Sequence, residues 1–217
     1  MNRIDKTFQK EHKLLSIYFS AGHPELEDTL PIVCALQESG VDMVEIGLPF
    51  SDPLADGPTI QKSSTRALRN GMTTEKLFDQ LRNIRESINI PLVLMGYFNP
   101  IMQFGIERFC ENSQNVGIDG LIIVDLPPEE DKLINSYTTK HNVHNIRLVT
   151  PTTHKTRLKK ILKHSSGFLY YVSIMGITGT KKPSIEHLKK KVGDIKKKTL
   201  LPFYLLFIKI FINIRSF

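Results

Sequence analysis

Two carboxylates in this sequence have settings that point to chemistry. Glu45 lies between Val44 and Ile46 in an apolar run, where a buried charge is costly unless it is used. Burial raises the pKa of a carboxyl above its usual value of about 4.3, which suits it to general acid–base catalysis. Asp56 follows in a loop rich in proline and glycine. We predict that Glu45 and Asp56 form a catalytic pair; the alternatives are a buried ion pair at Glu45 and a turn-forming role for Asp56.

The chain around these carboxylates alternates between short apolar runs and helical patterns. The apolar runs are continuous, which is typical of parallel strands covered by helices on both faces. The strands are predicted at residues 15–19, 43–46, 92–95, 121–124, 146–149 and 168–172. The helices are predicted at residues 28–38, 58–70, 74–87, 105–115, 128–141, 154–164 and 184–198.

Such an alternation fits either an open doubly wound sheet or a closed barrel. No Gly-x-Gly-x-x-Gly follows the first strand, which favours the barrel. We therefore predict a (β/α)8 TIM barrel, whose active site lies at the carboxyl ends of the strands. The 217 residues fall short of the roughly 250 that are typical, and six to seven strands can be counted. We expect one incomplete barrel domain over residues 1–217, with a divergent apolar tail at 199–217.

Composition excludes several classes of protein. The net charge is +7, but eight lysines lie within residues 181–198, which predicts a solvated helix face and no nucleic-acid partner. The apolar run at 200–208 is shorter than the about 20 residues of a membrane helix, and residues 1–13 lack the apolar core of a secretory signal. Two cysteines fit a reducing cytoplasm, and the histidine spacing predicts no metal site.

Residues 45–58 closely resemble the signature of the tryptophan synthase alpha subunit family. Further segments agree with that family in order and spacing, at residues 22–24, 95–100, 125–127, 150–152 and 176–179. The resemblance extends to residue 198. It implies a TIM barrel that cleaves indole-3-glycerol phosphate to indole and glyceraldehyde 3-phosphate in tryptophan biosynthesis, by a retro-aldol reaction that needs no cofactor of its own.

The resemblance also implies roles for individual residues. Glu45 is the general acid and base, and Asp56 stabilises the cationic indole nitrogen. Substrate-binding roles fall to Tyr97, Tyr170, Thr178 and the backbone of Gly179. From the residues alone, the two tyrosines are equally well explained as core aromatics, and residues 176–179 as a mobile turn.

A partner is implied as well. Members of this family associate with a beta subunit that carries pyridoxal phosphate, in an alpha2-beta2 complex, and residues 53–58 resemble the surface that meets it. We expect the pyridoxal phosphate on the beta subunit alone.

The sequence departs from the family after residue 198. The family continues with two glycine-rich loops that carry most of the phosphate site, whereas residues 199–217 are rich in Phe, Ile and Leu. We expect a frameshift or premature stop near residue 203. This leaves an alternative function, a catalytically impaired remnant that at most binds the beta subunit. A third possibility, another phosphate-handling barrel such as an epimerase, conflicts with the signature around Glu45 and Asp56.

Overall fold

A computed structural model describes residues 1–172 and 185–206. Within these ranges, seven parallel strands form one sheet in the sequential order β1 to β7. The strands are β1 (Ser16–Ser20), β2 (Met43–Gly47), β3 (Leu92–Gly96), β4 (Gly120–Ile123), β5 (His144–Val149), β6 (Leu169–Val172) and β7 (Phe203–Leu206). The predicted parallel α/β architecture, an incomplete TIM barrel with six to seven strands, is confirmed.

Helices precede β1 and connect successive strands. They are α1 (Arg3–Thr7), α2 (Thr29–Glu38), α3 (Pro58–Arg69), α4 (Thr74–Gln80), α5 (Phe98–Phe104), α6 (Ile106–Asn115), α7 (Asn135–Lys140), α8 (Lys155–Lys163) and α9 (Ile185–Lys196). Short 3₁₀ turns lie at Leu26–Asp28, Ile84–Glu86 and Pro128–Leu133.

Two predicted helices are wrong in extent. The pattern at 74–87 gives α4 followed by a 3₁₀ turn, because Asn83 adopts a left-handed backbone conformation with φ of 64°, which interrupts a right-handed helix. The pattern at 128–141 likewise gives a 3₁₀ turn and then α7. The apolar run at 200–208 contributes β7, which begins three residues into that run, at Phe203.

The two faces of the sheet bury different sets of side chains. Outward residues such as Val44, Leu94 and Leu121 pack against the helices in the largest apolar cluster. Inward residues form a second cluster that contains Met43, Val93, Ile122, Ile146, Phe168 and Tyr170. This double burial explains why the strands are continuously apolar in sequence.

Helix α1 covers the amino-terminal end of the barrel. Ile4 is fully buried in the inward cluster, and the ring of Phe8 lies 5.1 Å from that of Phe168. The Asn2 side chain caps α1 and donates a hydrogen bond to the Asp119 carbonyl at 3.0 Å. The open end of the barrel is therefore the end where the strands finish.

The remaining features of the described chain are consistent with a packed barrel. Cys110 is buried and Cys34 is partly buried, and both are free thiols. On α9, Val192 and Ile195 pack against α8 and β6. No helix in the described ranges is long and apolar enough to cross a membrane. The assignment of 1–217 to one domain with a divergent tail stays a prediction.

Candidate active site

Glu45 sits on the inward face of β2, and its side chain is held at both oxygens. The residue is only 2% exposed. Ser16 Oγ of β1 donates a hydrogen bond to Oε1 at 2.6 Å, and the Tyr170 hydroxyl of β6 donates one to Oε2 at 2.7 Å. Burial raises the pKa of Glu45, and the two hydrogen bonds oppose that rise because they favour the carboxylate. The group is thus oriented and adapted to hold a proton.

Tyr18 connects the two predicted catalytic residues. Tyr18 lies opposite Glu45 in the register of β1 and β2. Burial raises the pKa of the Tyr18 hydroxyl, and the nearby charges of Asp56 and Glu45 raise it further. The Tyr18 ring lies over Gly47 so tightly that a Cβ atom there would collide with it. Gly47 therefore permits the approach of Tyr18 to the site.

Asp56 lies in the loop between β2 and α3, half-buried. Burial raises its pKa, and an interaction with the Tyr97 hydroxyl opposes that rise. The same hydroxyl accepts a hydrogen bond from the Ala55 backbone N–H at 2.9 Å, and the Tyr97 ring lies 5.3 Å from that of Phe50. Tyr97, at the end of β3, therefore fixes the loop that carries Asp56.

The described structure places four of the six predicted site residues. Glu45 and Tyr170 are hydrogen-bonded to each other inside the barrel, and Asp56 and Tyr97 follow the carboxyl ends of β2 and β3. Thr178 and Gly179 lie outside the described residues. The individual roles of all six residues stay predictions.

Sequence reasoning missed Ser16 and Tyr18. Both stand on β1 at alternate positions with Ser20, so a polar or aromatic side chain recurs every second residue. That period places the three on one face of a strand, and it is the signal that would have identified them.

A cavity of about 300 Å³ opens at the ends of β4 and β5, lined in part by Asp125, Thr150 and Arg157.

A parallel β/α barrel with a buried, hydrogen-bonded carboxylate in its interior and a second carboxylate in the loop after β2 belongs to the class of β/α-barrel enzymes, whose sites lie at the carboxyl ends of the strands. Comparison with known proteins identifies the family. The family model described as tryptophan synthase alpha chain matches residues 4–207, and the chain belongs to the tryptophan synthase alpha chain family.

Relatives of known sequence agree. The chain is 57% identical to the tryptophan synthase alpha chain of Flavobacterium psychrophilum, over 83% of this chain and 72% of the relative. It is 53% identical to that of Christiangramia forsetii, over 91% of this chain and 79% of the relative. The resemblance drawn from the sequence motifs is confirmed, and neither an impaired remnant nor an unrelated phosphate-handling barrel is favoured.

Solved structures show the same fold. The tryptophan synthase subunit alpha of Legionella pneumophila matches with a TM-score of 0.87 and 39% identity, covering 95% of this chain and 78% of that one. A chain of the tryptophan synthase complex of Pyrococcus furiosus matches with a TM-score of 0.79 and 33% identity, covering 89% of this chain and 77% of that one.

Proposed function

We propose that this chain cleaves indole-3-glycerol phosphate to indole and glyceraldehyde 3-phosphate, with Glu45 as the general acid and base. The observation that carries the proposal is the setting of Glu45, a carboxyl buried inside the barrel and held at both oxygens by neutral hydroxyl donors. Membership of the tryptophan synthase alpha chain family supports the choice of substrate.

The reaction requires two proton transfers. Protonated Glu45 gives its proton to C3 of the indole ring, which places positive charge on the ring nitrogen. Deprotonated Glu45 then accepts the proton of the glycerol hydroxyl next to the bond that breaks. The oxygen forms the aldehyde C=O, and the electron pair of the broken carbon–carbon bond returns to the indole and neutralises its nitrogen. A raised pKa suits the first transfer, because it keeps the carboxyl protonated closer to neutral pH.

Asp56 has the second role in this proposal. Its carboxylate accepts a hydrogen bond from the indole N–H and stabilises the positive charge that develops there. Tyr97 packs against the indole and holds the loop of Asp56 through Ala55, and Tyr170 contacts the substrate beside Glu45. The substrate-binding roles of Thr178 and Gly179 stay predictions from the family resemblance.

We also propose that this chain associates with a beta subunit that carries pyridoxal phosphate, and that this chain itself needs no cofactor. The related protein of Pyrococcus furiosus was solved as a tryptophan synthase complex. In the loop that carries Asp56, Leu54 is 85% exposed, which suits an apolar contact with a partner. The alpha2-beta2 stoichiometry and the cytoplasmic location stay predictions.

The direct test is indole release from indole-3-glycerol phosphate by the purified chain, measured with and without a tryptophan synthase beta chain. Indole release that needs no added cofactor in the absence of the beta chain supports the proposal. A folded chain that releases no indole under either condition refutes it.

Asp56→Asn is expected to lower kcat for indole release by about 10² to 10³, the usual effect of removing one electrostatic stabiliser of a transition state. The amide keeps the shape of the side chain and removes its charge. Asp52→Asn is the matched control, because Asp52 lies in the same loop and is exposed. Equal kcat values for the two variants would refute the role of Asp56.

A further inference from the structure

Tyr204 on β7 contacts both residues that hold the Glu45 carboxyl. Its hydroxyl accepts a hydrogen bond from the Ser16 backbone N–H at 2.8 Å and lies 3.4 Å from the Ser16 carbonyl oxygen. Its ring stacks on the Tyr170 ring, with centroids 5.8 Å apart and an interplanar angle of 25°. Ser16 and Tyr170 are the donors to the two oxygens of Glu45.

The contact joins the two outer strands of the described sheet. β1 and β7 stand at opposite ends of the strand order and are not hydrogen-bonded neighbours. The Tyr204 side chain spans the space between them. The Ser16 N–H does not bond to β2 and donates instead to the Tyr204 hydroxyl. A backbone N–H with a fixed partner restricts the strand that carries it, so Tyr204 limits the motion of Ser16.

We propose that Tyr204 is a positioning residue for Glu45, acting through Ser16 on one oxygen and through Tyr170 on the other. The proposal rests on the proposed function, in which Glu45 transfers the protons. Tyr204 itself is one residue removed from the reacting group and is not a catalytic residue.

Among the described residues, three ionisable side chains face Glu45 from the strands packed around it. They are Tyr18 of β1, Tyr170 of β6 and Tyr204 of β7, and the charge of Glu45 raises the pKa of each. All three hydroxyls therefore stay neutral where a carboxyl titrates. A change in the titration of Glu45 in a Tyr204 variant then reports altered hydrogen bonding rather than the loss of a neighbouring charge.

The test is Tyr204→Phe, which removes the hydroxyl and keeps the stacked ring. Without its partner, the Ser16 end of β1 is held less firmly, so the hydrogen bond from Ser16 Oγ to Glu45 weakens. Because that bond lowers the pKa of Glu45, the variant should have a higher Glu45 pKa. The limb of the kcat/KM profile that reports Glu45 should move to higher pH, and kcat should fall about fivefold, as for the loss of one ordinary hydrogen bond.

Tyr171→Phe is the matched control. Tyr171 is the next residue after Tyr170 on β6, is fully buried, and packs in a different cluster with Leu158 and Ile161. Its hydroxyl has no hydrogen-bond partner in the described part of the chain. Removing that hydroxyl should leave the titration of Glu45 and the pH profile unchanged.

The titration of Glu45 is also measured directly, by ¹³C NMR of protein labelled at the glutamate carboxyl carbon, without substrate. Glu45→Gln identifies the signal by its loss. A rise in the Glu45 pKa in Tyr204→Phe, with no rise in Tyr171→Phe, supports the positioning role. This holds even if the wild-type chain releases no indole, because that result contradicts the proposed function alone.

A double-mutant cycle with Ser16→Ala separates positioning from packing. If Tyr204 acts through Ser16, Tyr204→Phe should raise the Glu45 pKa less in the Ser16→Ala background than in the wild type. Equal shifts in both backgrounds, no shift in either, or loss of folding in Tyr204→Phe would each overturn the proposal.

Discussion

Glu45→Gln is expected to abolish detectable indole release and to leave the fold intact. Glutamine has nearly the same shape, and its amide can accept one of the two hydrogen bonds from Ser16 and Tyr170. It cannot deliver or accept the protons of the reaction. Loss of a general acid–base group costs about 10² to 10⁴ in rate, and here one group is proposed to serve both transfers, so the upper part of that range is expected.

The measurement is single-turnover indole release, with circular dichroism to verify folding. Glu107→Gln is the control, because Glu107 is an exposed glutamate paired with Lys140 at 2.9 Å and lies far from Glu45 in the sequence. Activity of Glu45→Gln within tenfold of that control would rule out a proton-transfer role for Glu45.

The same variant gives a prediction for stability as a function of pH. Burial raises the folded-state pKa of Glu45 above its ordinary value, so the folded chain binds the proton more tightly than the unfolded chain. Tighter proton binding stabilises the folded wild type at low pH. This contribution to the free energy of unfolding is lost as pH rises from the ordinary carboxyl pKa through the raised one. Glu45→Gln has no such group, and its stability relative to the wild type should increase over that window, as measured by urea unfolding at a series of pH values.

Asp119→Ala is expected to lower the free energy of unfolding by about 3–5 kcal/mol, the usual cost of breaking a buried ion pair by removing one partner. The Asp119 side chain is 3% exposed. It accepts hydrogen bonds from Arg3 at 3.0 Å, from Arg85 at 2.5 Å and from the Leu92 N–H at 2.9 Å. Its loss leaves the Arg85 guanidinium, 16% exposed, without its counter-charge.

The pKa of Arg85 supports this expectation. Burial lowers it to about 10, and the Asp119 carboxylate opposes that fall. Urea unfolding of Asp79→Ala serves as the control, since Asp79 pairs with Arg82 on the surface with both side chains more than half exposed, and such pairs contribute about 1 kcal/mol or less. Losses of similar size in the two variants would show that Asp119 does not anchor the amino-terminal end of the barrel.

Much of the fold was predictable because its signals are local. Continuous apolar runs identified six of the strands, and Glu45 was identifiable since a charge inside such a run contradicts its surroundings. The interruption at Asn83 was missed, because the apolar spacing continues to Ile84 and Ile88 and hides the left-handed residue between them. Helix α5 was also missed, since Pro100 and a short apolar sequence obscure its period.

The supporting residues of the site were harder to predict because their contacts span most of the chain. Ser16 meets Glu45 across 29 positions, and Tyr170 meets it across 125. The contact between Ser16 and Tyr204 spans 188 positions. No local pattern carries such pairings; they follow from the curvature of the sheet, which brings β1 near β6 and β7.

The docking of α1 under the barrel has a consequence for the order of folding during synthesis. Ile4 and Phe8 leave the ribosome early, but their binding surface includes Ile146 and Phe168, which are translated more than a hundred residues later. Helices as short as α1 are not stable alone in water. The amino-terminal segment therefore remains without a folded binding surface until β6 has emerged. The Phe8 amide donates to the Ile4 carbonyl, and slow hydrogen exchange at this amide would report that α1 has docked on the folded sheet.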